Sequence, residues 1–487
     1  MSEEKAVSRR EFLKIAGITG ATIGGAGGLG GLVAACGSTK ETESTAAPAT
    51  TATTAGPATT AGPATTAGAA TTVTAGAAAG REVKVGVVVP KTGALAAFAT
   101  PYDYVQGKWT KALADGVLGG DGQKHAIKIV TQDTQSDIQR CAAVTGKLIQ
   151  DEKVDIVFAG GAPDTMNPAA DQCEAFACPG LMIQGPWQAF YFGRQKDPAN
   201  PIPFKWGYAL CVGIEAMADC FADIWSQIPN NKKVGCIYSN STDGQSWADE
   251  KSGGPFYFTK AGYSVDKPGL YQPGTEDYTQ QVQEFKKFGA EICSGAMSPP
   301  DFTNFWKQAI QAGYRPKACT VGQALNFAET VTAIGPTAYG LTTEISWHPA
   351  YPFKSSLSGE TCAQIADDYE TTTGKQWSAE LIMYSLMELF VDALKRTANI
   401  DDKQAIVNAI SSTKSLETIY GPVDFTAPVD PTATSQVTHP VPNCLRMPTA
   451  GGQWLKGDKW PFEKFLVSNK YVPGAQITKK VQEIQYS

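Results

Sequence analysis

Val83-Lys84-Val85-Gly86-Val87-Val88-Val89, closed by Pro90, is a run of β-branched residues without polar alternation. A strand buried on both faces reads this way, and such strands belong to parallel sheets covered by helices. The residues that follow keep the pattern going. Tyr104–Ala114 reads as helix, Ile127–Val130 as strand, and Ile138–Gln150 as an amphipathic helix. Val154–Phe158 is a strand stopped by Gly160-Gly161, Pro168–Phe176 a helix, and Leu181–Ile183 a strand. Strands alternating with helices predict a parallel sheet built from right-handed βαβ crossovers.

The pattern then restarts. Lys233–Tyr238, Glu291–Ala296 and Ala318–Val321 read as strands, and Trp247–Ala261, Tyr278–Phe288 and Phe302–Ala312 as helices. This is a second doubly wound lobe. A helical block, Cys362–Lys395, has no strands of its own and is expected to pack back on the first lobe. The Pro- and aromatic-rich stretch from Gly421 to Pro473 would supply edge strands and hinge passages. Ligands of such sheets bind outside the carboxyl ends of the strands, so two facing lobes make a cleft.

The N-terminus reads as an address. Ser8-Arg9-Arg10-Glu11-Phe12-Leu13-Lys14 opens a twin-arginine export signal, followed by a Gly/Ala-rich, mildly apolar stretch. Val33-Ala34-Ala35-Cys36 looks like a lipoprotein cleavage box, with residues 1–35 removed and Cys36 lipidated. Glycine pairs interrupt the stretch, unlike the roughly 20 strongly apolar residues of a spanning helix. Residues 36–81 form a Thr/Ala/Gly/Pro-rich tether, in which Thr53–Ala58 repeats as Thr59–Ala64. It has too little apolar mass to offset the entropy of ordering. The expected place is the extracytoplasmic face of the cytoplasmic membrane.

The formal charge of −6 offers no basic patch, which argues against nucleic acid as partner. Of eleven cysteines, Cys36 is the lipid site. The other ten permit disulfides in an exported domain, with Cys173/Cys178 and Cys211/Cys220 the nearest pairs. Cys236, Cys293 and Cys319 sit in apolar runs and read instead as buried thiols. Three scattered histidines give no metal spacing. There is no Gly-x-Ser-x-Gly elbow and no phosphate-binding Gly-rich loop. No enzyme, metal or cofactor is expected.

Val85–Phe98, Asp133–Asp137, Lys233–Gly244, Phe305–Ala309 before Ala312-Gly313, and Gly421–Phe425, in that order, resemble the leucine/isoleucine/valine-type solute-binding proteins of ABC importers. The resemblance implies two α/β lobes of the type I periplasmic binding protein fold, joined by three crossings near Tyr208–Gly213, Glu344–Pro349 and Val441–Arg446. It divides the chain into 82–210 and 346–442 for the first lobe, and 211–345 and 443–487 for the second.

It also implies site positions. Phe98 stands where an aromatic lies against the ligand. Gly161-Ala162-Pro163-Asp164-Thr165 stands where backbone N–H groups and small hydroxylated residues hold an α-carboxylate; Thr165 keeps a hydroxyl, but Asp164 is an acid. Gln184-Gly185-Pro186-Trp187-Gln188 replaces a small-residue loop, and Gln184, Gly185 and Trp187 become candidates. Gln323 stands near the place of a glutamate that meets a ligand ammonium, and Asp164 or Asp243 would hold an amine instead. Each has a structural alternative: lobe packing for Phe98, helix capping for Asp164, a turn for Asp243-Gly244. The function so implied is capture of a small polar or aromatic molecule by lobe closure and delivery to a membrane permease, by a monomer. Alternatives are a sensor for a membrane signalling protein and an extracytoplasmic hydrolase.

Overall fold

Val83–Val89 (β1) lies between two parallel neighbours, Ile127–Asp133 (β2) and Ile156–Ala159 (β3), with Val85 opposite Ile129 on one side and Ile156 on the other. Six of its seven residues are buried, as the unbroken valine run requires. The chain continues through Gly180–Pro186 (β4) and Gly207–Val212 (β5). The computed structural model describes residues 77–432, 437 and 439–486. The expected export signal, Cys36 and most of the tether lie outside the described residues.

A second series of strands follows: Lys233–Tyr238 (β6), Ser264–Asp266 (β7), Ile292–Met297 (β8), Ala318–Gln323 (β9) and Thr342–Ile345 (β10). Near the C-terminus come Cys444–Arg446 (β11), Ala450–Lys456 (β12) and Phe462–Ser468 (β13). They form two large sheets, ordered β11-β5-β4-β3-β1-β2 and β13-β12-β10-β9-β8-β6-β7. Each carries a parallel doubly wound core, and the second adds β12 and β13 as antiparallel strands. In each core the strand order reverses once, between β1 and β3 and between β6 and β8. These switch points are where the carboxyl ends of strands leave a crevice.

The chain passes between the sheets after Val212, after Ile345 and after Arg446. The last passage corrects the boundary expected at residue 443, because Cys444, Leu445 and Arg446 still pair with Ala209, Leu210 and Cys211 in the first sheet. The tether expected to run to residue 81 also ends earlier. Ala79 bridges Lys124, and the Arg81 guanidinium meets Asp155 at 2.8 Å and Asp401 at 2.6 Å.

Helices Tyr102–Ala112 (α1) and Ile138–Gln150 (α2) cover the first sheet. Asp137 caps α2 by accepting the Arg140 N–H at 2.6 Å, which fixes its start. The helix expected from Pro168 begins earlier, as Pro163–Ala175 (α3), with Pro163 in the first turn and Pro168 inside. Pro163 fits the first turn, where a missing N–H costs nothing. In the second lobe Ile214–Ser226 (α4) is followed by Thr242–Ala248 (α5). The helix expected over Trp247–Ala261 breaks after α5 and resumes at Gly254. A Cβ on Gly253 would fall 2.4 Å from the Trp247 carbonyl, so this close return needs glycine. The block Cys362–Lys395 also divides, at Gly374 in the left-handed region, with a 3₁₀ segment Ala379–Tyr384 between two α-helices. All ten described cysteines are free and buried, so neither Cys173/Cys178 nor Cys211/Cys220 forms a bridge.

Candidate functional site

Both switch points open onto one cavity. From the first sheet come Phe98 after β1, Pro163 after β3, and Gln184, Gly185 and Pro186 at the end of β4. From the second come Asp243 and Trp247 after β6, Gly322, Gln323 and Asn326 around the end of β9, and Glu344 and Ser346 at the end of β10. Val212, Met217 and Met447, beside the passages, close the floor with Glu380. The cavity volume is about 50 Å³. That suits a few waters or one compact organic molecule.

Two glutamines shape the walls in parallel ways. Gln184 and Gln323 both have left-handed backbones, at φ 80° and φ 62°. Such strain in a non-glycine residue persists only where its surroundings hold it, and it gathers at functional sites. The Gln184 amide donates to Glu380, and its carbonyl accepts the Gly161 N–H at 2.7 Å. The Gln323 amide donates to Asp243 at 2.5 Å. Glu344 is bound separately, accepting from Asn326 at 3.0 Å and from Thr343 at 3.1 Å.

The site is rich in acid. Burial, then the nearby Asp164 charge, pushes the Asp243 carboxyl up to about 8. Burial likewise pushes Glu380 up to about 8, against the opposing pull of Lys464 and Gln184. Burial brings Lys464 down to about 8, with Glu380 and Glu344 opposing. Lys464 donates to the Asn326 carbonyl at 2.8 Å and lies over the Trp454 ring at 5.0 Å. Asp243 is 2% exposed, and its Oδ1 has no hydrogen-bond partner. Among the described residues, no lysine or arginine lines the cavity.

Contacts between the lobes include one polar and one aromatic pair near the cavity. Asp164 Oδ1 accepts the Thr242 N–H at 3.0 Å, across from the first lobe to the start of α5. Phe98 meets Phe327 edge-on with ring centroids 4.9 Å apart.

Of the residues expected from sequence, Phe98, Gln184, Gly185, Asp243 and Gln323 come together on the cavity wall. Asp164, Thr165 and Trp187 do not line it. Thr165 is buried and spends its hydroxyl on the first turn of α3, donating to the Gly160 and Ala162 carbonyls and accepting the Ala162 N–H. Trp187 is fully buried, and its indole N–H donates to Glu215 at 3.0 Å. The Gly-Pro before it suggests an exposed turn, but Glu215 draws the ring inward. Glu215 also accepts from Gln188 at 2.7 Å and Arg446 at 2.9 Å, which ties together two of the passages between the lobes. Sequence reading misses Glu380 as a site residue. Its only signal is a lone acid in the apolar run Ala379-Glu380-Leu381-Ile382-Met383.

Two Rossmann-like lobes sharing one small cavity define a ligand trap. Residues 82–442 match the periplasmic binding protein family, and the chain belongs to it. A leucine-binding protein of Thermotoga maritima shares 18% identity, with a TM-score of 0.62 over 80% of this chain and 99% of its own. A branched-chain amino acid substrate-binding protein of Streptococcus pneumoniae, solved with isoleucine, shares 16%, with a TM-score of 0.61 over 80% and 99%. A solute-binding protein of Rhodopseudomonas palustris, solved with 4-hydroxybenzoate, shares 16%, with a TM-score of 0.62 over 82% and 98%. At these identities the likeness establishes the two-lobed fold. Among curated proteins, none matches this sequence.

Proposed function

We propose that this chain is the lipid-anchored receptor of an ABC importer. It captures a small polar molecule in the cleft and hands it to a membrane permease. Cys36 would carry the lipid, and the Thr/Ala/Gly/Pro segment would let the receptor search near its permease. The lobes divide as 82–212 with 346–446, and 213–345 with 447–487, and the receptor acts as a monomer. Ligand contacts are assigned to Phe98, Gln184, Gly185, Asp243 and Gln323, with Glu344 and Glu380 added.

One observation carries this reading: a cavity walled from both switch points, with Asp243, which has an unpartnered buried carboxylate oxygen, in its lining. A trap needs shape and a few well-placed polar groups, and closure follows ligand contact. The free, buried thiols suit a protein that folds in the reducing cytoplasm before export by a twin-arginine route. The test is native mass spectrometry with thermal denaturation of the full chain. A released small molecule that raises the melting temperature on add-back is expected. A protein that releases nothing and gives no shift with amines, amides, amino acids, aromatic acids or polyols would contradict the receptor reading. Anchoring is tested separately with Cys36→Ala, which should release the protein from membranes.

A further inference from the structure

The ligands solved with two of the neighbours, isoleucine and 4-hydroxybenzoate, both carry a carboxylate. The cleft of this chain is built against one. In the resemblance drawn from sequence, the loop before α3 is where backbone N–H groups would meet an anion. Here three of those positions offer no free donor. Pro163 has no N–H. The Gly161 N–H goes to the Gln184 carbonyl at 2.7 Å, and the Ala162 N–H to the Thr165 hydroxyl at 3.3 Å. At the start of α5, the Thr242 N–H goes to Asp164 at 3.0 Å and the Gly244 N–H to Ser241 at 3.2 Å.

The side-chain amides on the wall point the same way. Gln184, Gln323 and Asn326 each give an N–H to a carboxylate: Glu380, Asp243 and Glu344 respectively. Each of these bonds turns a wall amide toward an acid, and among the described residues no lysine or arginine lines the wall to meet an anion. Lys464, the buried cation nearest these acids, is not on the cavity wall and spends an N–H on the Asn326 carbonyl. The second, independent observation is Asp243 Oδ1, nine-tenths and more buried, without a partner, on a residue that faces the cavity. A buried carboxylate oxygen without a donor carries a penalty that a ligand N–H would remove.

We propose that the cleft selects a compact organic ammonium ion carrying no carboxylate, with Asp243 as its counter-ion. Glu344, from the same lobe as Asp243, adds negative potential, and the small cavity favours a compact ligand. The inference rests on the receptor reading and narrows its ligand class.

The experiment uses the purified full chain, wild type and Asp243→Asn, with Glu344→Gln as a second variant. Thermal shift and calorimetry at pH 7 are run with ethylamine, ethanolamine, putrescine and guanidine. Isoleucine, 4-hydroxybenzoate, acetamide and urea form the opposing set. At least one cation is expected to bind, with affinity falling about tenfold or more in Asp243→Asn and by less in Glu344→Gln. Calorimetry in buffers of different ionisation enthalpy adds a readout that a structural role would not move. Burial holds the proton on Asp243, helped by the facing Asp164 and Glu344, while Gln323 favours the charged form. An ammonium ion must ionise it, so binding should release protons to the buffer. Tight binding of either carboxylate, or of a neutral amide unaffected by Asp243→Asn, would overturn the ammonium inference and leave the receptor standing. Binding by no member of either set, with no molecule released from the native protein, would overturn both.

Discussion

The two walls of the cleft repeat one device with different outcomes. In each lobe a strand ends in a left-handed glutamine that gives its amide to a buried acid, Gln184 to Glu380 and Gln323 to Asp243. Glu380 has a compensating cation, because Lys464 opposes its raised proton affinity. Asp243 has none; its charged neighbours are Asp164 and Glu344, and one of its oxygens has no partner. A buried acid that is compensated internally serves the fold, while one left uncompensated is stable only as a neutral group or with a ligand. The comparison assigns the first wall to holding the site together and the second to recognition.

The largest expected effect lies behind the first wall. Trp187→Ala removes a fully buried ring and leaves Glu215 short of a donor, and should cost about 3–5 kcal/mol of stability. Denaturant melts would measure it, and ligand affinity of the folded fraction should stay the same. A large affinity loss without destabilisation would restore Trp187 to the ligand site. Next, Glu380→Gln removes one of the acids that support the Lys464 charge and should destabilise by about 1–2 kcal/mol. Lys464→Met added to it should recover part of that loss, and no recovery would mean the two are not coupled.

Asp243→Asn should act in the opposite sense. Because the folded-state pKa is raised to about 8, the folded protein binds a proton that the unfolded chain has released. Stability is then fully present below the ordinary carboxylate range and is lost as pH rises toward 8, by up to about 1.4 kcal/mol per pH unit. The variant should be at least as stable as wild type at pH 7 and should flatten that slope in melts from pH 4 to pH 8. An unchanged slope would place the titration elsewhere. The smallest effect is expected for Asp164→Ala, which loses the bond from Thr242 across the cleft and should cost about 1 kcal/mol. It should be read as faster ligand release with little change in melting temperature.

Much of this arrangement was legible in the residues themselves. Strands buried on both faces announce themselves as largely apolar runs, so β1 and β6 match their expected limits at both ends. Phe98, Gln184, Asp243 and Gln323, positions the family resemblance implies, lie on the cavity wall, because residues just past parallel strands face the crevice. Trp187 misled because local sequence cannot show that Glu215 draws its ring inward. Glu380 was hidden because its partner Gln184 lies 196 residues away, a pairing made only by the return of the chain to the first lobe. The break after Ala248 was hidden too, since helical periodicity continues through a turn that depends on close backbone approach at Gly253.

The central claim is that Asp243 is the recognition carboxylate of a cleft that holds a small molecule. Native mass spectrometry of the full chain, compared side by side with Asp243→Asn prepared identically, tests it most directly. The account predicts a bound small molecule on the wild type and an empty variant no less stable than wild type stripped of its ligand. Equal occupancy in both proteins would contradict it.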